Sequence, residues 1–125
     1  MNVPSNLKYT KDHEWIVCDG EFATIGITAY AVEQLGDIVF VDIDTVGENL
    51  AAEEVFGTIE AVKTVSDLYI PMGGEVLEFN TELEGNPGLI NSDPYNAGWI
   101  IKIKVSNMDE AAHLLTPEQY IEIIK

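Results

Sequence analysis

Short apolar runs alternate with polar positions along most of this chain, and glycine, proline, asparagine and aspartate separate them. The pattern predicts strands before it predicts anything else. Residues 99–105, Trp99-Ile100-Ile101-Lys102-Ile103-Lys104-Val105, put isoleucines on one face and lysines on the other, the signature of a strand with one dry and one wet side. Residues 13–18 and 21–27 are two more strands around Asp19-Gly20, a pair that favours a type I′ hairpin turn. Shorter strands are expected at 7–10, 38–43 and 75–79, with Gly73-Gly74 as a turn before the last of these.

Helical patterning is sparse and lies toward the periphery. Thr28 is a candidate N-cap for a helix over 29–35, with Gly36 as its stop. Ser106 is a candidate cap for a helix over 109–115. Thr116-Pro117-Glu118-Gln119 reads as a capping box with proline in the first turn, and Tyr120, Ile121, Ile123 and Ile124 give the following helix an apolar side. Residues 80–94 hold Gly85, Pro87, Gly88 and Pro94 and read as irregular. Closely spaced short strands with helices at the edges predict a mainly β (α+β) domain of the sandwich or small-barrel kind, spanning residues 1–125 as one unit.

Two strand-like stretches, 54–59 and 68–71, flank Glu60-Ala61-Val62-Lys63-Thr64-Val65-Ser66-Asp67 almost symmetrically. Lys63 is expected at the tip of that hairpin, where the symmetry suggests two sheet halves meet. An amine presented on a rigid tight turn suits an enzyme that attaches a cofactor through an amide bond. A lysine in a turn is more commonly just a solvated charge. Two features weigh against that here. Val62 and Val65 are apolar neighbours, and Lys63 is the only lysine between Lys11 and Lys102.

Charge narrows the function classes. The chain has 125 residues, 22 acidic side chains against six basic ones, and a formal net charge of −16; all six cations are lysines. A surface so acidic and without arginine argues against nucleic acid and anionic membranes as partners. It also lacks bidentate clamps for phosphate or carboxylate. No apolar run approaches the ~20 residues a membrane helix needs. The first residues, Met1-Asn2-Val3-Pro4-Ser5-Asn6, carry no basic segment followed by an apolar one, so a cytoplasmic location is expected.

The polypeptide has little chemistry of its own. Cys18 is the single cysteine and is expected to pack within its strand, so redox chemistry must come from an attached or bound group. His13 and His113 lie a hundred residues apart in sequence, and no Cys/His cluster has zinc spacing. Asp42 and Asp44 lack the glycine and the terminal glutamate of a calcium loop. There is no phosphate-binding glycine loop and no Gly-x-Ser-x-Gly elbow. His13-Glu14-Trp15 admits two readings, an acid/base pair or a solvated edge beside a buried tryptophan.

Five blocks in order resemble the H-protein family of the glycine cleavage system. They are Lys8-Tyr9-Thr10-Lys11-Asp12-His13-Glu14-Trp15; Thr24-Ile25-Gly26-Ile27-Thr28 with Leu35-Gly36-Asp37-Ile38-Val39-Phe40-Val41; the segment from Glu60 through Lys63 to Pro71; Asn86-Pro87-Gly88-Leu89-Ile90-Asn91; and Pro94-Tyr95 with Gly98-Trp99-Ile100-Ile101-Lys102-Ile103. The resemblance implies a barrel-sandwich hybrid with short peripheral helices and a C-terminal helix. It implies a carrier, not an enzyme, with lipoate in amide linkage to Lys63. Its partners would be a lipoate-attaching enzyme, the pyridoxal-phosphate-dependent glycine decarboxylase (P protein), the tetrahydrofolate-dependent aminomethyltransferase (T protein) and dihydrolipoyl dehydrogenase (L protein). The aminomethyl group of glycine would pass from the first of these three enzymes to the second, and the third would reoxidise the arm. Glu14 would line a cleft that shelters the loaded arm, and Asp67, at the hairpin base, would meet its amine.

Asp12, Thr64, Met72-Gly73-Gly74 and Asn96-Ala97 depart from the usual family pattern and bear on the details of that cleft. The lysine hairpin is also shared by other swinging-arm carriers. A biotin carrier would usually set methionines beside the lysine. A lipoyl domain of a 2-oxoacid dehydrogenase would lack the His13-Glu14-Trp15 opening and the terminal helices. An H-like protein that only relays lipoate would keep Lys63 and accept no aminomethyl group.

Overall fold

The computed structural model describes residues 2–125. In chain order it contains β1 (Lys8–Tyr9), β2 (Glu14–Asp19), β3 (Phe22–Ile27), α1 (Ala29–Leu35), β4 (Ile38–Asp42), β5 (Asn49–Leu50), β6 (Val55–Ala61), β7 (Val65–Tyr69), β8 (Gly74–Phe79), α2 (Glu82–Gly85), α3 (Leu89–Ser92), β9 (Ile101–Val105), a 3-10 helix (Met108–His113) and α4 (Pro117–Ile124). The strands form a six-stranded sheet in the order β1-β2-β3-β9-β8-β5 and a three-stranded sheet in the order β4-β6-β7. All pairings within them are antiparallel.

The main core lies between the two sheets. Ile16, Ile25 and Ile103 from the larger sheet meet Ile38, Val41, Ile59 and Leu68 from the smaller one. Strand β9 alternates buried isoleucine with exposed lysine, as its sequence predicts. A second cluster lies on the opposite face of β1 and β2, where Leu7, Tyr9 and Trp15 are covered by Tyr120 of α4. Tyr9 and Tyr120 stack with ring centroids 4.7 Å apart. Strand β2 is thus dry on both faces, Ile16 toward one cluster and Trp15 toward the other.

The local capping signals hold. Thr28 accepts the Ala31 N–H at 3.2 Å, and Gly36 ends α1 with φ +80°. Thr116 and Gln119 form a reciprocal capping box at the start of α4.

Several expectations need correction. Asp19 pairs with Phe22, so the hairpin reverses at Gly20-Glu21. Of these two only Gly20 has positive φ, at +64°, which fits a type II′ turn with glycine first. Gly74 is inside β8 rather than in a turn, paired with Val105 and Leu50. A Cβ there would come within 2.3 Å of the Lys104 carbonyl oxygen, so the glycine serves strand contact. Residues 80–94 contain two short helices, α2 and α3, rather than an irregular run; Asn80 ties the start of this segment to the chain leading into β9, its side-chain amide donating to the carbonyls of Ala97 and Trp99 while its Oδ1 accepts from Glu82 N–H. Asn107, not Ser106, caps the segment at Met108–His113, which is a 3-10 helix. Cys18 is exposed near the end of β2, beyond the reach of the core. The two strands of the lysine hairpin belong to the same small sheet, so that hairpin does not join the sheets.

Candidate functional site

Lys63 is exposed at the tip of the β6–β7 hairpin. Ala61 N–H donates to the Thr64 carbonyl at 2.8 Å and closes the tip. Val62 N–H donates to the Asp37 carbonyl at 3.0 Å and ties the tip to the turn after α1. Gly36, in that turn, lies beside the end of the lysine side chain: a Cβ there would be in ordinary van der Waals contact with it, 3.4 Å from Lys63 Cε and 3.8 Å from Nζ. Among the described residues no carboxylate forms an ion pair with the Lys63 ammonium.

Asn91, in α3, holds this support in place. Its Oδ1 accepts the Ile38 N–H at 3.0 Å and its Nδ2 donates to the Gly36 carbonyl at 2.9 Å. The side chain thus clamps the two ends of the segment that anchors the lysine tip. Asn91→Ala leaves two partly buried backbone groups without partners and is expected to cost about 2 kcal/mol in stability. Urea unfolding of the two proteins checks this; an unchanged midpoint would show that the clamp carries no load.

A cleft of about 380 Å³ opens on the side of the molecule where β7 ends. Its walls come from the β1–β2 connection (Thr10, Lys11, Asp12, Glu14), the turn before β6 (Ala52, Glu53), the end of β7 (Tyr69, Ile70, Pro71) and the C-terminal segment (Glu110, His113, Leu114, Leu115). Glu14 is the buried polar group of this lining, with 2% of its surface exposed. Thr10 Oγ1 donates to Glu14 Oε1 at 2.8 Å and Tyr69 N–H donates to Oε2 at 3.0 Å. Thr10 Oγ1 also accepts the backbone N–H groups of Asp12 and Glu14, each at 3.2 Å. This web fixes the β1–β2 connection, in which His13 takes a left-handed φ of +68°.

The electrostatics of Glu14 follow from that placement. Burial raises its pKa to about 8, the donors Tyr69 N–H and Thr10 pull it down, and the neighbouring Asp12 pushes it up. Among the described residues no lysine pairs with it. The carboxyl is a satisfied hydrogen-bond acceptor without a fixed counter-cation. His13 beside it is turned away: Nδ1 lies 2.9 Å from the Tyr120 hydroxyl, which is 2.7 Å from Thr28 Oγ1. Burial lowers the His13 pKa. Trp15 is buried and donates its indole N–H to the Pro94 carbonyl at 3.0 Å. The His-Glu-Trp run is therefore split three ways, into an aromatic network, a cleft and a core.

The chain matches the family model described as "Glycine cleavage H-protein" over residues 7–125. It belongs to the glycine cleavage H-protein family. It is 59% identical over 124 residues to a glycine cleavage system H protein of Bacteroides thetaiotaomicron, covering 99% of this chain and 98% of that protein. It is 50% identical over 125 residues to the same-named protein of Halothermothrix orenii, covering 100% and 98%. Its structure resembles the crystal structure of a glycine cleavage system H protein from Mycobacterium marinum, with a TM-score of 0.86, 41% identity, and coverage of 96% and 97% of the two chains. The two sheets with short peripheral helices are the barrel-sandwich fold of that family. No helix among the described residues is long and apolar enough to cross a membrane.

Of the residues singled out in the sequence, Glu14 and Asp12 come together in the cleft. Lys63 and Asp67 lie outside its lining. Asp67 is exposed on β7, opposite Thr58 and on the same face of the strand as Tyr69. Thr10, Glu53, Glu110 and His113 were not foreseen. Glu53 has a left-handed φ of +71°, which no residue pattern announces, and Glu110 accepts the Gly73 N–H at 2.8 Å. Only folding brings these distant positions to one wall.

Proposed function

We propose that the chain, residues 1–125, is a lipoyl carrier in which lipoate forms an amide with Lys63. When attached, lipoate supplies the disulfide that accepts the aminomethyl group of glycine. The observation that supports this reading most directly is the pairing of an exposed amine on a protruding turn with a cleft whose buried carboxyl forms no ion pair among the described residues.

In this reading each residue has a defined task. Gly36 and Asp37 steady the lysine tip, and Asn91 steadies them. The apolar walls Ile70, Pro71, Leu114 and Leu115 exclude water from the stem of the arm. Glu14 receives the cationic end of the cargo and gives up its proton as the charge arrives. Asp67 stands along the strand between the tip and Tyr69, where it meets the amine on its way. The P protein, T protein and L protein load, unload and reoxidise the arm in turn; tethering raises its effective concentration at each only where docking geometry permits.

Intact mass spectrometry tests the proposal. The chain is treated with lipoate and a lipoate-attaching enzyme, then with glycine and the pyridoxal-phosphate-dependent decarboxylase. One lipoyl group on Lys63 followed by a single aminomethyl gain is the expected result. Lipoylation without a glycine-dependent gain, beside a competent control carrier, would replace the shuttle with a lipoate relay or with another complex.

A further inference from the structure

The connection between β1 and β2 holds a residue in a backbone conformation that its side chain disfavours. Thr10 N–H donates to the Glu14 carbonyl at 3.0 Å and His13 N–H donates to the Thr10 carbonyl at 3.1 Å, so Lys11, Asp12 and His13 form a three-residue hairpin loop. Such a loop sets its third residue in the left-handed region, where glycine is preferred because it has no Cβ to clash. His13 occupies that place with φ +68°. Among the described residues one other non-glycine residue has positive φ, Glu53, and it too belongs to a wall of the cleft. Strain of this kind persists only where surrounding contacts hold it, and it gathers at functional sites.

The contacts that hold His13 come from outside the loop. Thr28 N–H donates to its carbonyl at 3.0 Å. Its ring lies against Tyr30, with centroids 4.7 Å apart, and its Nδ1 is 2.9 Å from the Tyr120 hydroxyl. Tyr120 comes from α4, with its ring stacked on Tyr9 and its hydroxyl 2.7 Å from Thr28 Oγ1. One placement of protons satisfies the whole chain. Thr28 Oγ1 already accepts the Ala31 N–H, so its own proton goes to the Tyr120 oxygen, and Tyr120 donates to Nδ1 of a neutral imidazole. Helix α4 is also tied to the facing wall. Leu115, in the cleft lining, exchanges two backbone hydrogen bonds with Tyr9, at 2.8 and 2.9 Å, and α4 starts two residues later.

Resting on the reading of Glu14 as the group that receives the cargo, we infer that Tyr120 is a positioning residue for the arm cleft: its hydroxyl pins His13 in the left-handed conformation, and that conformation delivers Glu14 to Thr10 and Tyr69. The coupling is direct along the chain. The φ of His13 sets the direction in which the backbone leaves the loop, and Glu14 is the next residue. A histidine released from Tyr120 relaxes toward negative φ, the loop opens, and the bonds from Thr10 and Tyr69 to the carboxyl lose their alignment. The C-terminal helix thus acts on the cargo from the opposite face of β1 and β2, with none of its own residues in the cleft lining.

Two readouts separate this role from ordinary destabilisation. Carbon-13 NMR of the Glu14 carboxyl follows its titration in the unmodified chain, where no arm is needed. Decay of the loaded mass follows the arm in the lipoylated chain. His13→Ala removes the ring and keeps the strain, whereas His13→Gly removes both. His13→Ala is expected to move the Glu14 titration from about 8 toward 4.5. It should also shorten the lifetime of the loaded arm about tenfold, and His13→Gly should stay near wild type in both respects. Tyr120→Phe keeps the stack on Tyr9 and is expected to act in the same direction as His13→Ala, by about fivefold in lifetime, and to add nothing in the His13→Gly background. A merely structural hydroxyl would cost the same in both backgrounds. That result, or identical Glu14 titrations in His13→Ala and His13→Gly, would overturn the positioning role. Should His13→Ala fold poorly, the two backgrounds of Tyr120→Phe decide. A displaced titration with an unchanged arm lifetime would keep the positioning role and remove Glu14 from the path of the cargo.

Discussion

Lys63→Ala is expected to remove every trace of lipoyl attachment and of glycine-dependent loading while leaving the melting temperature unchanged within about 1 °C. The separation of the two effects has a structural cause. Lys63 is exposed, and its ammonium has no ion-pair partner among the described residues. Surface substitutions of that kind usually change stability by less than about 0.5 kcal/mol. The tip keeps its shape through backbone bonds, Ala61 to Thr64 and Val62 to Asp37, which alanine does not disturb.

None of the other five lysines occupies the β6–β7 tip. Lys102 and Lys104 are within the sheet on β9, Lys8 is within β1, Lys11 lies in the β1–β2 connection at the cleft, and Lys125 pairs with Glu122. Lys63→Arg keeps the charge and shape yet is expected to be equally inert, because its guanidinium is not acylated. Peptide mapping of the lipoyl group reads the result directly. A lipoyl group on a different lysine, or a melting temperature several degrees lower, would overturn the assignment.

Glu14→Gln is expected to stabilise the protein in a strongly pH-dependent way and to shorten the life of the loaded arm. The folded-state pKa of Glu14 is about 8, well above its ordinary value of 4.5, because burial disfavours the charged form. Between those values the folded chain holds a proton that the unfolded chain has released. Wild-type stability therefore falls as pH rises through that window, and below it the group contributes nothing. Glutamine does not titrate. The variant should match wild type near pH 4 and exceed it by roughly 2–4 kcal/mol near pH 8, given about 1.4 kcal/mol per pKa unit and a cleft partly open to solvent.

The amide oxygen of glutamine can still accept from Tyr69 N–H, while the bond from Thr10 must rearrange, because Thr10 Oγ1 already accepts the N–H groups of Asp12 and Glu14. What it removes is the capacity to become negative when a cation arrives. A hydrogen bond to a charged group contributes about 1.5–3 kcal/mol, so the lifetime of the loaded arm should drop at least tenfold while attachment of lipoate proceeds normally. Urea unfolding at several pH values and decay of the loaded mass are the two readouts. A stability difference that is flat with pH would mean that Glu14 titrates normally, and an unchanged lifetime would remove it from the path of the cargo.

Much of the architecture was legible because it depends on local signals. The alternation of Ile101 and Lys102 through Val105, the Thr28 and Thr116 caps and the stop at Gly36 each rest on residues within a few positions of one another. Failures fell where a distant partner decides the conformation. Gly74 reads as a turn until Lys104 is seen pressed against it. Residues 80–94 read as irregular until Asn80 is seen tied to the distant carbonyls of Ala97 and Trp99, which holds the start of α2 in place. The bulge that exposes Phe40 comes from a mismatch between β4 and β6 that neither segment shows alone.

The sequence by itself determined the mostly β class, the acidic surface, the position of Lys63 on a turn and the resemblance that names the family. These depend on residue type and short-range order, which a linear string preserves. Tertiary structure alone decided that Glu14 is buried under Tyr69 and Thr10, that Glu53, Glu110 and His113 share its cleft, and that Asp67 lies on the strand outside it. A carboxylate acquires its character from what surrounds it. With 22 acidic residues of two types in the chain, only burial and hydrogen bonding separate the one buried in the cleft from those that are merely solvated.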